Sequence, residues 1–400
     1  MTKSKSCTVV HIIDRLNVGG PTKYVTWLAA LLPEFRSYVV TGTIGFGEGD
    51  MSWFATQSGV SPIVVAELSR ELSIRDIVAF FKILLLLFKI KPDIVHTHKS
   101  KGGAIGRAAT FVYRALTRRK CRTVHVFHGH IFHSYYGRFK TWVFLSIERI
   151  LALWSTDIIL TISEQQKIEI SEKYKVGLER QHKIIPYGLD FATSSGPSLY
   201  ELLGLQPRTP IIGIVGRICE VKNQEMFILV AKALKPKHGE LKFAVIGDGH
   251  LRHNCESLVA QNSLGDTVLF TGFRDDVMNF YRDLTIISIT SNNEGTPFTM
   301  IEAMKFGVPA VATNVGGVID LMGKPLELPN LPEGVSGWTH GLTVEPNDVK
   351  AYSEAINYLV SNNRIRIEMG IQASKFIESR YSCDRFLKDM SEMYQTLLGN

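Results

Sequence analysis

Short runs of consecutive aliphatic and β-branched residues alternate along the chain with longer stretches in which apolar residues recur every three or four positions. In the first half the runs fall at 8–13, 38–43, 63–66, 93–96, 123–127, 157–161 and 183–185, and periodic stretches lie between them at 23–32, 73–90 and 140–154. The second half repeats the pattern, with runs at 211–215, 241–246, 268–270, 285–289, 310–313 and 342–344. Successive apolar residues without polar alternation suit a strand covered on both faces, the condition of a parallel sheet between two helix layers. The pattern predicts two doubly wound α/β domains. Residues 191–197 (FATSSGP) are small and polar, and 206–210 (QPRTP) are rich in proline just before a new buried strand, so the domain boundary is expected within 188–209. From 349 to 398 the period is helical and no strand follows.

A chain of 400 residues is long enough for two such domains, each with its own core. Hydrophobic residues make up 45% and charged residues 21%, a globular balance that argues against disorder. Cys7, Cys121, Cys219, Cys255 and Cys383 are far apart and form no C-x-x-C pair, which argues against a disulfide framework and a structural zinc site. The net charge of +7 is unevenly divided: residues 1–190 hold 26 Lys and Arg against 15 Asp and Glu, whereas 191–400 hold 19 against 23. A basic half joined to a slightly acidic one points to an anionic partner for the first domain, whether phosphate, membrane surface or nucleic acid. No helix-turn-helix, RRM or KH pattern accompanies the sequence pI of about 9.0, so nucleic acid is set aside. The opening residues do not read as a signal peptide, and no run approaches the ~20 apolar residues that span a bilayer. A cytoplasmic protein is expected.

Loops after the predicted strands carry the candidate chemistry. Residues 17–23 (NVGGPTK) follow the first strand and open the first helix. Gly19 and Gly20 there either let the backbone approach a phosphate at a helix N-terminus or make a tight turn. Residues 216–222 (GRICEVK) stand in the same relation to the first strand of the second half. Arg217 and Lys222 are either a pair that neutralises a diphosphate or two solvated cations. Glu294 precedes, and Glu302 lies within, a helix predicted at 299–306. Both carboxylates suit sugar or ribose hydroxyls; a capping acid and an exposed helical glutamate are the plain alternatives. Glu302 is flanked by Met300, Ile301, Ala303 and Met304, which calls for a buried partner. Glycine turns recur at 247–249 and at Gly316 and Gly317. Seven of the twelve histidines lie at or before His133. His96 and His98 end one strand, and His125, His128, His130 and His133 surround the end of another, where ligands sit in open parallel sheets. Neither HEXXH nor an H-x3-5-H pair joined to Cys-x-x-Cys is present, and there is no D-x-D pair, so no metal is expected.

Taken in order, these segments resemble the motifs of the retaining, nucleotide-sugar-dependent glycosyltransferases of family 4. They are the Gly-Gly loop at 17–22, VHTHKSKGGAIGRAA at 95–109, FHGH at 127–130, IPYGLD at 185–190, GRICEVK at 216–222, VIGDGHLR at 245–252, FTGFRDD at 270–276 and EGTPFTMIEAMKFGVPAVATNVGG at 294–317. The likeness covers essentially the whole chain. It implies a GT-B fold, in which two doubly wound Rossmann-like domains face a central cleft. An acceptor-binding domain would span 1–190 and a nucleotide-sugar-binding domain 191–383, with a last helix from about 384 to 400 packing back on the first. Arg217 and Lys222 would hold the donor diphosphate and Gly19 and Gly20 would approach it. Glu302 would grip the ribose hydroxyls, Glu294 would stand beside the transferred sugar, and His128 would contact that sugar near the reacting carbon. Gly216, Gly247, Phe273, Arg274, Gly295, Thr296, Phe298 and Thr299 would complete the donor site.

The activity so implied is retaining transfer from a nucleotide-diphosphate sugar, first of all a UDP-sugar, to a hydroxyl of a carbohydrate or lipid-linked acceptor. It would serve cell-surface polysaccharide or glycolipid synthesis and need neither cofactor nor metal. Three residues depart from the family pattern: Pro21 stands where Ala is frequent, Tyr187 where Asn is commonest, and Pro297 where Gly is frequent. The same fold serves sugar-nucleotide epimerases and non-catalytic sugar-nucleotide-binding proteins, and the full set of Arg217, Lys222, Glu294 and Glu302 favours the transferase. Two stretches also have membrane-surface character. Residues 114–122 (RALTRRKCR) hold five basic residues, and 137–154 (GRFKTWVFLSIERILALW) read as a helix with Trp142, Phe144, Leu145 and Ile147 beside Arg138 and Lys140. They suggest peripheral contact with an anionic membrane at its cytoplasmic face; packing of that helix on the sheet is the competing reading.

Overall fold

The computed structural model describes residues 7–45, 48–69, 73–128, 138–189 and 196–399, with 138–140 described by their backbone alone. The chain divides into two compact units, Met1–Gly188 with Cys383–Asn400, and Leu189–Ser382.

In the first unit β1 (Cys7–Ile13), β2 (Phe35–Thr41), β3 (Ile63–Val64), β4 (Ile94–His98), β5 (Arg122–Val126), β6 (Ile158–Thr161) and β7 (His182–Ile184) form one sheet in the order β3-β2-β1-β4-β5-β6-β7. All its pairings are parallel. The central strands are buried on both faces, as their unbroken apolar runs require: Val9, Val10, Ile12, Ile13, Ile94 and Val95 are all fully buried. β2 begins at Phe35, ahead of its apolar run, because its ladder with β1 starts at Cys7↔Phe35. The Ser100–Thr117 helix lies close on the sheet through Gly102, Gly103 and Gly106; a Cβ on Gly103 would come within 2.3 Å of the His125 ring. The final helix, Cys383–Leu398, buries Phe386, Met390, Met393 and Tyr394 within this unit. The Phe386 ring lies 4.9 Å from that of Tyr24, and Tyr394 lies 5.2 Å from Phe35.

In the second unit β8 (Ile211–Val215), β9 (Lys242–Ile246), β10 (Val268–Gly272), β11 (Ile286–Ile289), β12 (Ala310–Thr313), β13 (Val335–Trp338) and β14 (Gly341–Val344) form a sheet in the order β10-β9-β8-β11-β12-β14-β13. β13 is an additional strand that runs antiparallel to β14. Its sequence, VSGW, is short and mixed, and it sits at the sheet edge, so no apolar run announces it. Ile212, Phe227, Phe243, Ile356 and Leu359 belong to one continuous core that joins the sheet to the Gln224–Leu234 and Val349–Ser361 helices. In each sheet the order of the parallel strands reverses between neighbours, at β1 and β4 and at β8 and β11, which leaves a crevice at the carboxyl ends of those strands.

Candidate functional site

In the second unit the loops after β8 and β11 carry the expected cation and carboxylate residues to its switch point. Gly216 and Gly247 both have φ near +143°, and a Cβ on Gly247 would lie 2.0 Å from the Gly216 carbonyl oxygen, so the loops after β8 and β9 touch through glycine alone. The Thr290 hydroxyl, at the end of β11, lies 3.0 Å from both the Lys222 and Asn223 carbonyl oxygens. The Asn292 N–H donates to the Val221 carbonyl at 2.8 Å, and its side chain donates to that of Glu220 at 3.1 Å. These bonds tie the β8 loop to the β11 loop. They place Lys222 Nζ 2.6 Å from Glu294 Oε1, which also accepts from Ser291 Oγ at 2.5 Å. Arg217 is exposed on the same loop as Lys222, and its guanidinium donates no hydrogen bond among the described residues.

The Phe298–Lys305 helix follows, with Pro297 as N-cap and no side-chain cap. The hydroxyls of Thr296 and Thr299 at its start are buried and make no hydrogen bond among the described residues. Glu302 is buried in the next turn and accepts from the Tyr281 hydroxyl at 2.7 Å. Burial, reinforced by the Glu302 charge, holds the Tyr281 phenol well above its usual range, so it stays a donor. Gly316 has φ +48°, and a Cβ there would lie 1.9 Å from the Glu294 carbonyl oxygen; a Cβ on Gly317 would lie 2.1 Å from that of Gly295. The two glycines thus let the Glu294–Gly295 backbone rest on the loop after β12. Phe273 is exposed after β10, whereas Arg274 is engaged by both oxygens of Asp276, at 2.8 and 2.6 Å, and lies over the Phe280 ring.

In the first unit the Gly20–Leu31 helix opens at the β1 end of the switch point, with Gly19 as N-cap and Pro21 in its first turn. The Thr22 hydroxyl donates to the Asn17 carbonyl at 2.6 Å. Lys99, just past β4, reaches Asn17 Oδ1 at 2.8 Å and Asp14 at 3.3 Å, and burial lowers its pKa against the pull of Asp14. Arg15 is paired with Asp14 and with Glu48.

Four histidines of this unit, His11, His96, His98 and His128, form a connected group. His11 and His96 are register partners on β1 and β4, and His98 is two residues further along β4, on the same face. His11 Nδ1 lies 3.3 Å from His98 Nε2, His98 Nδ1 lies 3.0 Å from His128 Nε2, and His128 Nδ1 lies 2.8 Å from the Tyr187 hydroxyl. His96 Nδ1 meets the Tyr394 hydroxyl at 2.6 Å. His125 points to the other face and meets Thr97 Oγ1 at 2.9 Å. Burial lowers the His11 pKa to about 3 and holds His96, His98, His125 and His128 well below the usual histidine range. His130 and His133 lie outside the described residues. Among the described residues His11, His96 and His98 place one ring nitrogen each within 4.8 Å of one another, a spacing a metal could draw together.

Sequence reading nominated Arg217, Lys222, Glu294, Glu302 and His128. It missed Ser291, Tyr281, Tyr24 and Tyr394, which are isolated hydroxyl residues with no spacing signal, and it gave Tyr187 no role. The amphipathic face is in part the expected one: the Arg138–Ser155 helix exposes Trp142 and Ile147, but Leu145 packs against the Phe127 and Ile159 cluster, and Ile150, Leu153 and Trp154 are exposed in addition. The side chains of Arg138 and Lys140 lie outside the described residues. Arg114 and Arg122 share Asp157, and Arg118, Arg119 and Lys120 are exposed cations beside the likewise exposed Arg122. The Arg75–Ile90 helix exposes a further apolar row, Ile77, Val78, Phe81 and Leu85. No described helix is long and apolar enough to cross a membrane.

Two parallel-sheet units, each with glycine-rich loops at a switch point, are the architecture of the GT-B glycosyltransferases. Comparison with known proteins agrees. Residues 18–192 match the model described as Glycosyltransferase Family 4, and residues 201–376 match Glycosyl transferases group 1. The chain is 29% identical over 345 residues to the capsular polysaccharide biosynthesis glycosyltransferase CapM of Staphylococcus aureus, covering 81% of this chain and 82% of that one. It is 27% identical over 337 residues to the UDP-Gal:alpha-D-GlcNAc-diphosphoundecaprenol alpha-1,3-galactosyltransferase of Escherichia coli, covering 80% and 82%. Among solved structures, Anabaena HepE in complex with UDP superposes with a TM-score of 0.77 at 17% identity, over 98% of this chain and all of that one. This chain belongs to the family 4 glycosyltransferases and is a glycosyltransferase of GT-B fold.

Proposed function

We propose that the protein transfers a sugar, with retention of anomeric configuration and without a metal, from a UDP-linked donor to a hydroxyl of a carbohydrate or lipid-linked acceptor. The product would enter a cell-surface polysaccharide or glycolipid. The observation that carries this reading is the junction of the β8 and β11 loops, where Lys222 is held against Glu294 with the Arg217 guanidinium open beside it on the same loop. Breaking the bond from the anomeric carbon to the phosphate oxygen leaves negative charge on the diphosphate, and fixed cations aimed there lower the barrier. The acceptor hydroxyl attacks from the face the phosphate leaves; its oxygen bonds to the anomeric carbon and its proton passes to the departing phosphate oxygen. Glu302, oriented by Tyr281, accepts from the ribose hydroxyls, and Glu294 and His128 stand by the transferred sugar. UDP as the nucleotide is supported by the UDP complex of HepE and by the UDP-Gal donor named for the Escherichia coli relative. The apolar row from Trp142 to Trp154 with Arg118, Arg119 and Lys120 suits peripheral binding to an anionic lipid surface.

A thermal-shift screen over UDP-, GDP- and ADP-sugars tests the donor site, followed by product analysis in EDTA with lipid-linked and oligosaccharide acceptors. Stabilisation by a UDP-sugar and an extended acceptor are expected. A C2-epimerised sugar nucleotide, or indifference to every nucleotide sugar, would overturn the reading.

A further inference from the structure

We propose that His98, backed by His11, is a positioning residue for His128: the three rings form a hydrogen-bonded chain of neutral imidazoles that sets the tautomer and ring plane of His128. The catalytic half of this inference rests on the reading that places His128 beside the transferred sugar.

A neutral imidazole has one N–H and one lone pair, so each of its two links must be a donor at one nitrogen and an acceptor at the other. The links His11–His98, His98–His128 and His128–Tyr187 measure 3.3, 3.0 and 2.8 Å. Fixing the proton on one ring therefore fixes it on all three. Only two arrangements satisfy every link, and they differ at the ends. His11 Nε2 is buried and has no partner among the described residues. If the protons point from Tyr187 toward His11, that nitrogen carries a stranded N–H. If they point from His11 toward Tyr187, it carries a bare lone pair, and every N–H and O–H of the chain is donated. His11 Nδ1–H then goes to His98, His98 Nδ1–H to His128 Nε2, His128 Nδ1–H to the Tyr187 oxygen, and the Tyr187 hydroxyl to the His128 carbonyl at 3.4 Å. A buried stranded N–H is the rarer fault in folded proteins, so the second arrangement is favoured.

Packing supports the chain. The ring planes of His11 and His98, His98 and His128, and His128 and Tyr187 differ by only 24°, 23° and 8°. Tyr24 stands edge-on to His98, His128 and Tyr187 at 5.7, 5.0 and 5.5 Å and walls the row on one side. Protonating His98 or His128 would remove its lone pair and break a link, protonating His11 would strand an N–H on its buried Nε2, and burial keeps the rings neutral. His128 thus has both nitrogens engaged by its own unit. It would serve the sugar as a fixed surface, not as a proton carrier.

Side-chain ¹⁵N NMR on the full chain labelled at histidine tests the chain directly. The wild type should show His11, His98 and His128 each as a single Nδ1–H tautomer, unchanged between pH 6 and 8. His98→Asn, whose amide can still reach His128, should keep that signature and most of kcat. His98→Leu should give mixed tautomers at His128 and lower kcat by about tenfold or more, with donor KM within about twofold. Averaged or protonated rings in the wild type, a His98→Leu protein with unchanged His128 signals and kcat, or stoichiometric zinc on the purified protein would each overturn the chain. If His98→Leu does not fold, the wild-type spectrum and His98→Asn decide. Unchanged kcat in His128→Ala would overturn the placement of His128 in the site, while the NMR result still judges the chain by itself.

Discussion

Lys222 and Glu294 are 72 residues apart in sequence, and nothing in their spacing says that they meet; the adjacency of β8 and β11 does. Arg217→Ala and Lys222→Ala should each lower donor turnover at least ~10²-fold, the scale of one lost transition-state charge contact. Steady-state kinetics on both variants check this, and near-normal turnover in both would remove the diphosphate role. Glu302→Ala takes away the acceptor held by Tyr281 and should chiefly raise donor KM, as for a contact equally made in ground and transition states. A change confined to acceptor KM would contradict the ribose role. The buried histidines also make stability depend on pH. His11 and its neighbours have folded-state pKa values depressed below the ordinary 6.5, so the unfolded chain takes up protons that the folded chain refuses. The stability they contribute is present above pH 6.5 and is lost progressively as pH falls below it. The urea midpoint should therefore drop between pH 7 and pH 5, before most carboxylates titrate; a flat midpoint there would contradict neutral buried rings.

At the scale of elements, the parallel strands were legible because a strand covered on both faces must be apolar throughout, and the runs at 211–215 and 310–313 coincide with β8 and β12. β13 was not, since an edge strand closed by one antiparallel ladder needs no such run. The VHTHKSKGGAIG segment was read for its chemistry, yet its glycines serve packing: a side chain at Gly103 would strike His125. The Ser100–Thr117 and Arg138–Ser155 helices are joined by a buried ion pair, Arg107 to Glu148 at 2.6 Å. Glu148→Ala leaves an uncompensated buried guanidinium and should cost about 3–5 kcal/mol. Replacing the pair by Arg107→Met with Glu148→Leu should restore most of that loss. Urea unfolding of the single and double variants decides it, and equal stability of Glu148→Ala and wild type would show the pair to be inert.

For the whole molecule, the doubled α/β pattern of the chain was legible as two units, while the histidine chain was not. His11 meets His96 only through strand register, and Tyr394 reaches His96 from 298 residues away because the last helix belongs to the first unit. The exposed Trp142–Trp154 row and the exposed cations Arg118, Arg119 and Lys120 predict that the protein co-floats with anionic vesicles at low salt and is released as salt rises, since surface attraction is screened within ~10 Å at 0.1 M. Equal behaviour with neutral vesicles, or no binding to either, would contradict that surface role. The central claim is sugar transfer from a nucleotide donor held by Arg217 and Lys222. Its most direct test is NMR of the reaction with UDP-sugars and a lipid-linked acceptor in EDTA, for wild type and Lys222→Ala. The account predicts UDP release matched by acceptor glycosylation with the donor's anomeric configuration retained, at least ~10²-fold slower in the variant. An inverted product, a requirement for added metal, or equal rates in the two proteins would contradict it.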